Sequence, residues 1–412
     1  MAGIQKMKGF ADMFTPDSDV FTFIESTARR VFSAYGYSEL RTPLLEHTEL
    51  FSRSIGLETD VVQKEMYTFP DRKGRSLTLR PEATAGVLRA YIESARSTQE
   101  SVSKFFSTGP MFRYERPQKG RMRQFHQVNC ECLGAPEPLA DAEVILMLMT
   151  FLGSLGLTGL TLEINSLGCK QCRPGYKDML TQFLAAIPLE LLCPDCCRRL
   201  HTNPLRVLDC KAPGCCAQTE NAPRMAENNC PECRKHFATV LRILDGASLP
   251  YILNPRLVRG LDYYCRTTFE VVSATIGAQD SVAGGGRYDG LVAQLGGPDI
   301  PGAGFACGME RLALMLGTQP PRTMDFYLAV MDENALEYAL LLAQKLRSAG
   351  RSGEVSFAAK SLKSQLRQAS RLGAKKCLIL GGNEMVMNMV TVKDMETGDQ
   401  ETVPAGRIAQ YV

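Results

Sequence analysis

Two periodicities organise the chain. Between Ser18 and Tyr35 the residues Val20, Phe21, Ile24, Thr27, Ala28, Val31 and Phe32 recur at roughly helical spacing, with Asp17 or Ser18 placed as an N-cap. This predicts an amphipathic helix. From Phe125 to Cys132 the pattern becomes alternating: Phe125, Gln127, Asn129 and Glu131 share one side, His126, Val128, Cys130 and Cys132 the other. The first set reads as a site floor and the second as core. A preceding strand would align Met111, Arg113 and Glu115, and the Pro/Gly-punctuated centre between the strands carries Arg116, Lys119, Arg121 and Arg123. The stretch 111–133 therefore predicts a hairpin with a cationic tip. Its mixed face, with a guanidinium, an aromatic ring, an amide and a carboxylate, suits a nucleotide beside a small amino ligand.

Elsewhere the same reading predicts YSELRTPLLEHTELF as a strand with Pro43 at an edge or bulge, and SLTLRPEATAGVLRAYIES as a short strand broken by Pro81 and followed by a helix. Glu82 and Thr84 open that helix, where they serve equally as caps or as ligand contacts. Asp141–Leu155 reads as a helix and LTLEINSLG as a strand ending in Gly168. Arg259 precedes a strand rich in Tyr, Thr, Phe and Val, and GGGRYDGL at 284–291 reads either as a close backbone approach or as a tight turn. PGAGFACGMERLALML turns from a Gly-rich strand into a helix with Arg311 near its start, where the helix dipole disfavours a cation and an anionic partner is expected. After the stiff connector GTQPPRT come strand FYLAVM, helix Leu336–Leu346, strand VSFAA, helix Ser361–Leu372, strand CLILGG, a hairpin and a short helix, a compact α/β unit.

Composition sharpens this picture. With 412 residues, 45% of them hydrophobic, the chain can bury a large core and should split into two or three domains. A net charge of +3 is too small to bind nucleic acid globally, so any polyanion must meet local patches. The stripe of Lys360, Lys363, Arg367 and Arg371 is one, although 325–412 holds eleven Lys and Arg against ten Asp and Glu, and an ordinary solvated face fits equally. The longest apolar candidate, Val144–Leu157, falls short of the roughly 18 residues of a membrane span and contains Thr150 and Ser154, so it reads as a buried helix. Residues 1–15 lack the apolar run of a signal peptide. Fifteen cysteines without such a signal imply reduced thiols or metal sites in the cytoplasm.

Cys169/Cys172, Cys193/Cys196 and Cys230/Cys233 are CxxC pairs, and Cys210 and Cys215 have four residues between them. These spacings fit thiolate ligation of zinc in two tetrahedral sites. Spacing leaves the pairing open, and Cys197 and Cys216 duplicate neighbouring positions.

Taken together, these segments resemble the class II aminoacyl-tRNA synthetases. FRYERPQKGRMRQFHQ is similar to their motif 2, most closely in its histidyl-tRNA synthetase form; residues 18–51 resemble motif 1 and 301–316 motif 3. LVRGLDYYCRTTFEVV with GGGRYDGL resembles the pair of histidine-specific motifs, and TNPLRVLDCK a segment of the bacterial helical insertion. The resemblance implies an α+β catalytic domain on a mainly antiparallel sheet (1–320), interrupted by a cysteine-rich insertion (169–250) and followed by an anticodon-binding-like α/β domain (325–412). It implies activation of L-histidine with ATP and Mg²⁺, transfer to a histidine-specific tRNA, and a homodimer built through motif 1. Carried over, Glu82, Thr84, Arg113, Gln127, Glu131, Arg259, Tyr263 and Tyr264 would bind histidine. Arg113, Arg121, Phe125 and Arg311 would bind ATP, with Arg113 and Arg259 catalytic. Ala83 departs from a frequent family glycine. Many relatives lack the cysteines, so zinc here would be a structural staple, and chelation should loosen the insertion without abolishing activation. Two rivals remain. A histidine-binding regulatory subunit of ATP phosphoribosyltransferase would share only the catalytic core, and a zinc-dependent nucleic-acid-binding protein would leave the other motifs unused.

Overall fold

A computed structural model describes residues 3–56, 59, 61–259, 263–276, 281–317 and 323–412. The chain forms two compact units, Met1–Gly317 and Thr318–Val412. Most of the connector GTQPPRT, and residues 260–262 of the first histidine-specific segment, lie outside the described residues.

The first unit is built on an eight-stranded sheet. Its strands run in the order Ser38–Glu39, Ser103–Phe112, Gln124–Leu133, Gly302–Gly308, Ser281–Arg287, Cys265–Ser273, Leu160–Ser166 and Ile252–Leu253. Every pairing is antiparallel except those of the two short edge strands. One face is apolar. Val128, Cys130 and Cys132, with Ala303, Phe305 and Cys307, pack against helices Asp17–Ala34, Pro138–Ser154 and Met309–Leu316. Phe32 anchors this layer, its ring 5.2 Å from that of Phe151 and 5.8 Å from that of Phe305. The helix predicted from Ser18 begins at Asp17, but neither Asp17 nor Ser18 caps it: the N-cap position is Pro16.

The alternate positions face a cavity, and there the central strands carry little bulk. Gly304 pairs with Glu131, Ala306 with Asn129, and Gly308 with Gln127. The three glycines of 284–286 lie inside a strand, so the turn reading of GGG is wrong. The reason is steric: a Cβ on Gly284 would meet the Arg259 guanidinium at 2.2 Å, and one on Gly304 would meet Glu131 Oε2 at the same distance.

A buried charge network not anticipated from sequence fastens the sheet rim. Arg287, fully buried, lies 2.6 Å from Asp141, and its guanidinium also donates to the carbonyls of Ala135 and Glu137. His236 Nε2 meets Asp141 Oδ2 at 2.7 Å. Burial alone would raise the Asp141 pKa, but His236 and Arg287 hold it below the usual value. His236 belongs to helix Pro231–Gly246, whose Val240 and Leu244 join the main core, so the end of the cysteine-rich segment is anchored in the catalytic unit.

The second unit has the strand order Gly353–Val355, Met324–Val330, Ala374–Leu380, Met389–Asp394, Gln400–Pro404, the first three parallel and the rest antiparallel. The strand predicted for VSFAA ends at Val355, because Ser356 turns away to bond Ala358 O and Phe357 is exposed. The last element is a 3₁₀ turn, Ala405–Gln410. Lys363, Arg367 and Arg371 of helix Leu362–Arg371 are exposed, as is Lys360 just before it, while Gln365 and Ala369 of that helix are buried.

Candidate active site

The glycine-lined face opens into a cavity of about 280 Å³, and every residue expected to contact the amino acid or nucleotide lines it. The hairpin supplies the floor. Glu131 accepts a hydrogen bond from Thr84 Oγ1 at 2.7 Å and another from the Tyr288 hydroxyl, and burial pushes its pKa up to about 8. Gln127 Oε1 and Asn129 Oδ1 are buried without a protein partner, a state that polar atoms in an interior rarely keep unless a ligand or water meets them.

Glu82 serves the helix it precedes: its carboxylate accepts from the amides of Thr84 at 2.7 Å and Ala85 at 2.8 Å. Capping and cavity lining coexist in this residue, and burial raises its pKa. Arg113 is fixed from behind, its Nε donating to Pro81 O at 2.9 Å, and its guanidinium stands 5.3 Å from the Phe125 ring centre. Arg259 pairs through Nη1 with Glu270 at 3.1 Å, while its buried Nε has no protein partner. Burial would lower the Arg259 pKa, but Glu270 and the neighbouring tyrosines keep it above the ordinary value. The rings of Tyr263 and Tyr264 lie with centres 4.6 Å apart, tilted by 44°, and Tyr263 meets Tyr288 edge-on at 5.8 Å.

At the other end of the cavity Arg121 ion-pairs with Glu115, and Arg311 donates to Ser281 O. Glu310, beside Arg311, accepts from the His126 amide at 2.9 Å and so ties helix Met309–Leu316 to the hairpin. Sequence reasoning passed over Glu270, which lies inside the strand that follows Arg259. Nothing local signals a partner eleven residues from Arg259; the pairing of antiparallel strands around Gly284 creates it.

The cysteines gather into two sets. Cys169, Cys172, Cys230 and Cys233 form one, Cys193, Cys196, Cys210 and Cys215 the other, and within each set the four sulfurs lie within 4.8 Å of one another. The sulfur–sulfur separations are 3.7 Å for Cys169–Cys172, 3.9 Å for Cys169–Cys230 and Cys172–Cys233, and 3.8 Å for Cys193–Cys210. A tetrahedron with zinc–sulfur bonds of about 2.3 Å has edges of about 3.8 Å. The Cys196 amide donates to Cys193 Sγ and lowers that thiol to about 7. Cys197 and Cys216 fall outside both sets and bond main-chain carbonyls of Leu189 and Cys210.

A family model for histidyl-tRNA synthetase matches residues 9–171 and 210–312, and one for an anticodon binding domain matches 325–412. The chain is 67% identical to the histidine–tRNA ligase of Nitratidesulfovibrio vulgaris strain DP4, over 99% of this chain and 98% of that protein. It is 64% identical to the enzyme of the same name from Oleidesulfovibrio alaskensis, over 98% and 97% of the two chains. Among solved structures it superposes on the apo histidyl-tRNA synthetase of S. aureus with a TM-score of 0.83 at 36% identity, covering 99% of both chains. The chain belongs to the histidyl-tRNA synthetase family.

Proposed function

We propose that the protein is a histidine–tRNA ligase. A histidine carboxylate oxygen attacks the α-phosphorus of ATP, the bond from that phosphorus to the β-phosphate oxygen breaks, and histidyl-adenylate and pyrophosphate result. A ribose hydroxyl of the tRNA's terminal adenosine then takes the histidyl group and releases AMP. The observation that carries this reading is the convergence of Arg113 and Arg121 of the hairpin with Arg259 and Arg311, from three separate segments, on a cavity whose other end is carboxylate, amide and tyrosine. Two anions must be brought together, so preorganised cations and in-line placement are the main demands.

In this reading Arg259, its Nε unpartnered, holds the reacting carboxylate and α-phosphate, and Arg113, just past strand Ser103–Phe112, also holds the α-phosphate. Phe125 stacks on adenine, Arg311 meets the γ-phosphate, and Arg121 exchanges Glu115 for the nucleotide. Glu82 and Thr84 take the α-ammonium, while Gln127, Glu131, Tyr263 and Tyr264 select the imidazole. Polar partners are needed because an apolar pocket separates ligands of similar size poorly. Mg²⁺ suits carboxylate and phosphate oxygens. Glu115 and Glu310 line the cavity and could share an ion that neutralises the polyphosphate.

The two cysteine sets fit structural Zn²⁺, since four mutually close thiolates close a tetrahedron and leave no position for substrate. The 325–412 unit, with its exposed basic stripe, is assigned to the tRNA anticodon end. Leu44, Leu45 and Phe69 expose apolar surface on or beside the motif 1-like segment and support a homodimer, which gel filtration at two concentrations tests. No helix among the described residues is long and apolar enough to cross a membrane. The deciding experiment is ATP/pyrophosphate exchange across a panel of amino acids, then charging of tRNA. Exchange that depends on histidine and is followed by charging is the expected result; histidine binding without exchange would favour the regulatory-subunit reading.

A further inference from the structure

The pairing of the cysteines is nested. The outer set joins the two roots of the insertion: Cys169 and Cys172 follow strand Leu160–Ser166, and Cys230 and Cys233 open helix Pro231–Gly246. The inner set lies wholly between them. The insertion's own core is small, centred on Tyr176, Leu180, Leu184, Val207 and Leu208. So few apolar side chains do not fix a segment of this length, and such modules are commonly stapled by metal.

Each set stands one short step from the segment that carries Arg259. On the inner side Thr219, buried, donates through Oγ1 to the carbonyl of the ligand Cys215 at 2.8 Å, and Thr219 O receives Arg256 Nη1 at 3.1 Å. Arg256 is three residues before Arg259. On the outer side Arg173 directly follows the ligand Cys172 and donates to Tyr264 O, five residues after Arg259. Between these ties Leu205 packs on both the insertion core and the cluster containing Val258 and Tyr264. The chain around Arg259 is therefore held on both flanks by groups that lean on the cysteine sets, while from the sheet side Asn165 Nδ2 donates to Leu257 O at 3.0 Å and Glu270 and the space above Gly284 locate the guanidinium.

We propose that the cysteine-rich insertion is a brace for the Arg259 segment, so that its two nested zinc sites set the rate of histidine activation as well as holding the insertion together. The proposal rests on reading both sets as zinc sites, and it makes Arg256 a positioning residue that touches no substrate. A displacement of the order of 1 Å in a catalytic group costs up to about a hundredfold. Loss of one set should slow activation, not abolish it.

The test uses the whole chain and three variants. Metal analysis of the unaltered protein should find two zinc ions per chain, and of Cys193→Ser/Cys215→Ser one. Arg256→Ala touches no cysteine and should keep both ions. In each variant kcat for histidine-dependent ATP/pyrophosphate exchange should fall about ten- to a hundredfold, with KM for histidine and ATP changed by less than about threefold. Arg256→Lys, which still reaches a carbonyl with one donor, should recover part of kcat; a merely structural defect would show instead as lowered melting temperature without that split. If Arg256→Ala keeps full kcat, the brace is wrong whatever the metal content. If the unaltered protein carries no zinc while Arg256→Ala still loses kcat, the metal assignment falls and the brace through Thr219 stands.

Discussion

The cavity floor and the cysteine-rich insertion handle polar chemistry in opposite ways. In the cavity, Gln127 Oε1, Asn129 Oδ1 and Arg259 Nε are buried without protein partners, and Glu131 sits at about 8, far from an ordinary carboxylate. In the insertion, four sulfurs of each set turn inward on one another. Unmet polar atoms cost stability unless something arrives to meet them, which suits substrates that must leave again. Closed thiolate tetrahedra have no such vacancy and suit a resident ion. The Asp141–Arg287–His236 network is a third case, fully satisfied by protein alone.

That contrast can be broken at several points. Asp141→Ala should be the most damaging, because it removes the buried carboxylate that Arg287 and His236 share and leaves Arg287 the partly exposed Asp289; a loss of about 3–5 kcal/mol in urea unfolding is expected, and a near-neutral result would show that water reaches the site. Arg259→Ala should leave the fold intact and lower histidine-dependent exchange by about a hundred- to a thousandfold; near-normal exchange would remove its assigned role. Glu131→Gln should raise the KM for histidine by about ten- to a hundredfold, as befits one charge-assisted hydrogen bond.

The same substitution tests pH dependence. Since the folded Glu131 titrates near 8, above its ordinary value of 4.5, the empty native protein holds a proton that the unfolded chain releases. The stability this contributes is complete below about pH 4 and is lost as pH rises through about 8. Melting temperatures measured across that window should flatten in Glu131→Gln. The smallest effect is expected at the basic stripe: Lys363→Ala with Arg367→Ala should raise the KM for tRNA a few-fold and reduce its salt dependence by about two phosphate contacts, with exchange unchanged.

Much of the site is legible in the residue pattern alone. Alternation from Phe125 to Glu131 separates floor from core because a strand has period two. Composition marks the cysteines, since several CxxC pairs recurring within one short segment fit thiolate metal ligation. Roles at Glu82 and GGG are ambiguous there because the local signals of a cap or a turn equal those of a ligand contact. Only the packed sheet distinguishes them, by putting Glu82 at the cavity wall and Gly284 under Arg259. VSFAA misleads because propensity says nothing of where a neighbouring strand ends.

The sequence by itself determined the elements, the hairpin face, the chemistry of the arginines and carboxylates, and the ligand type of the cysteines, all of which follow from short-range periodicity and residue identity. Tertiary structure alone decided the nested cysteine pairing, the Glu270 partner of Arg259, the Asp141–Arg287–His236 network and the ties from Thr219 and Arg173 to either flank of Arg259. Those contacts join residues far apart in the chain, and which of many equally capable donors and acceptors meet is set by sheet register and packing, not by any local pattern.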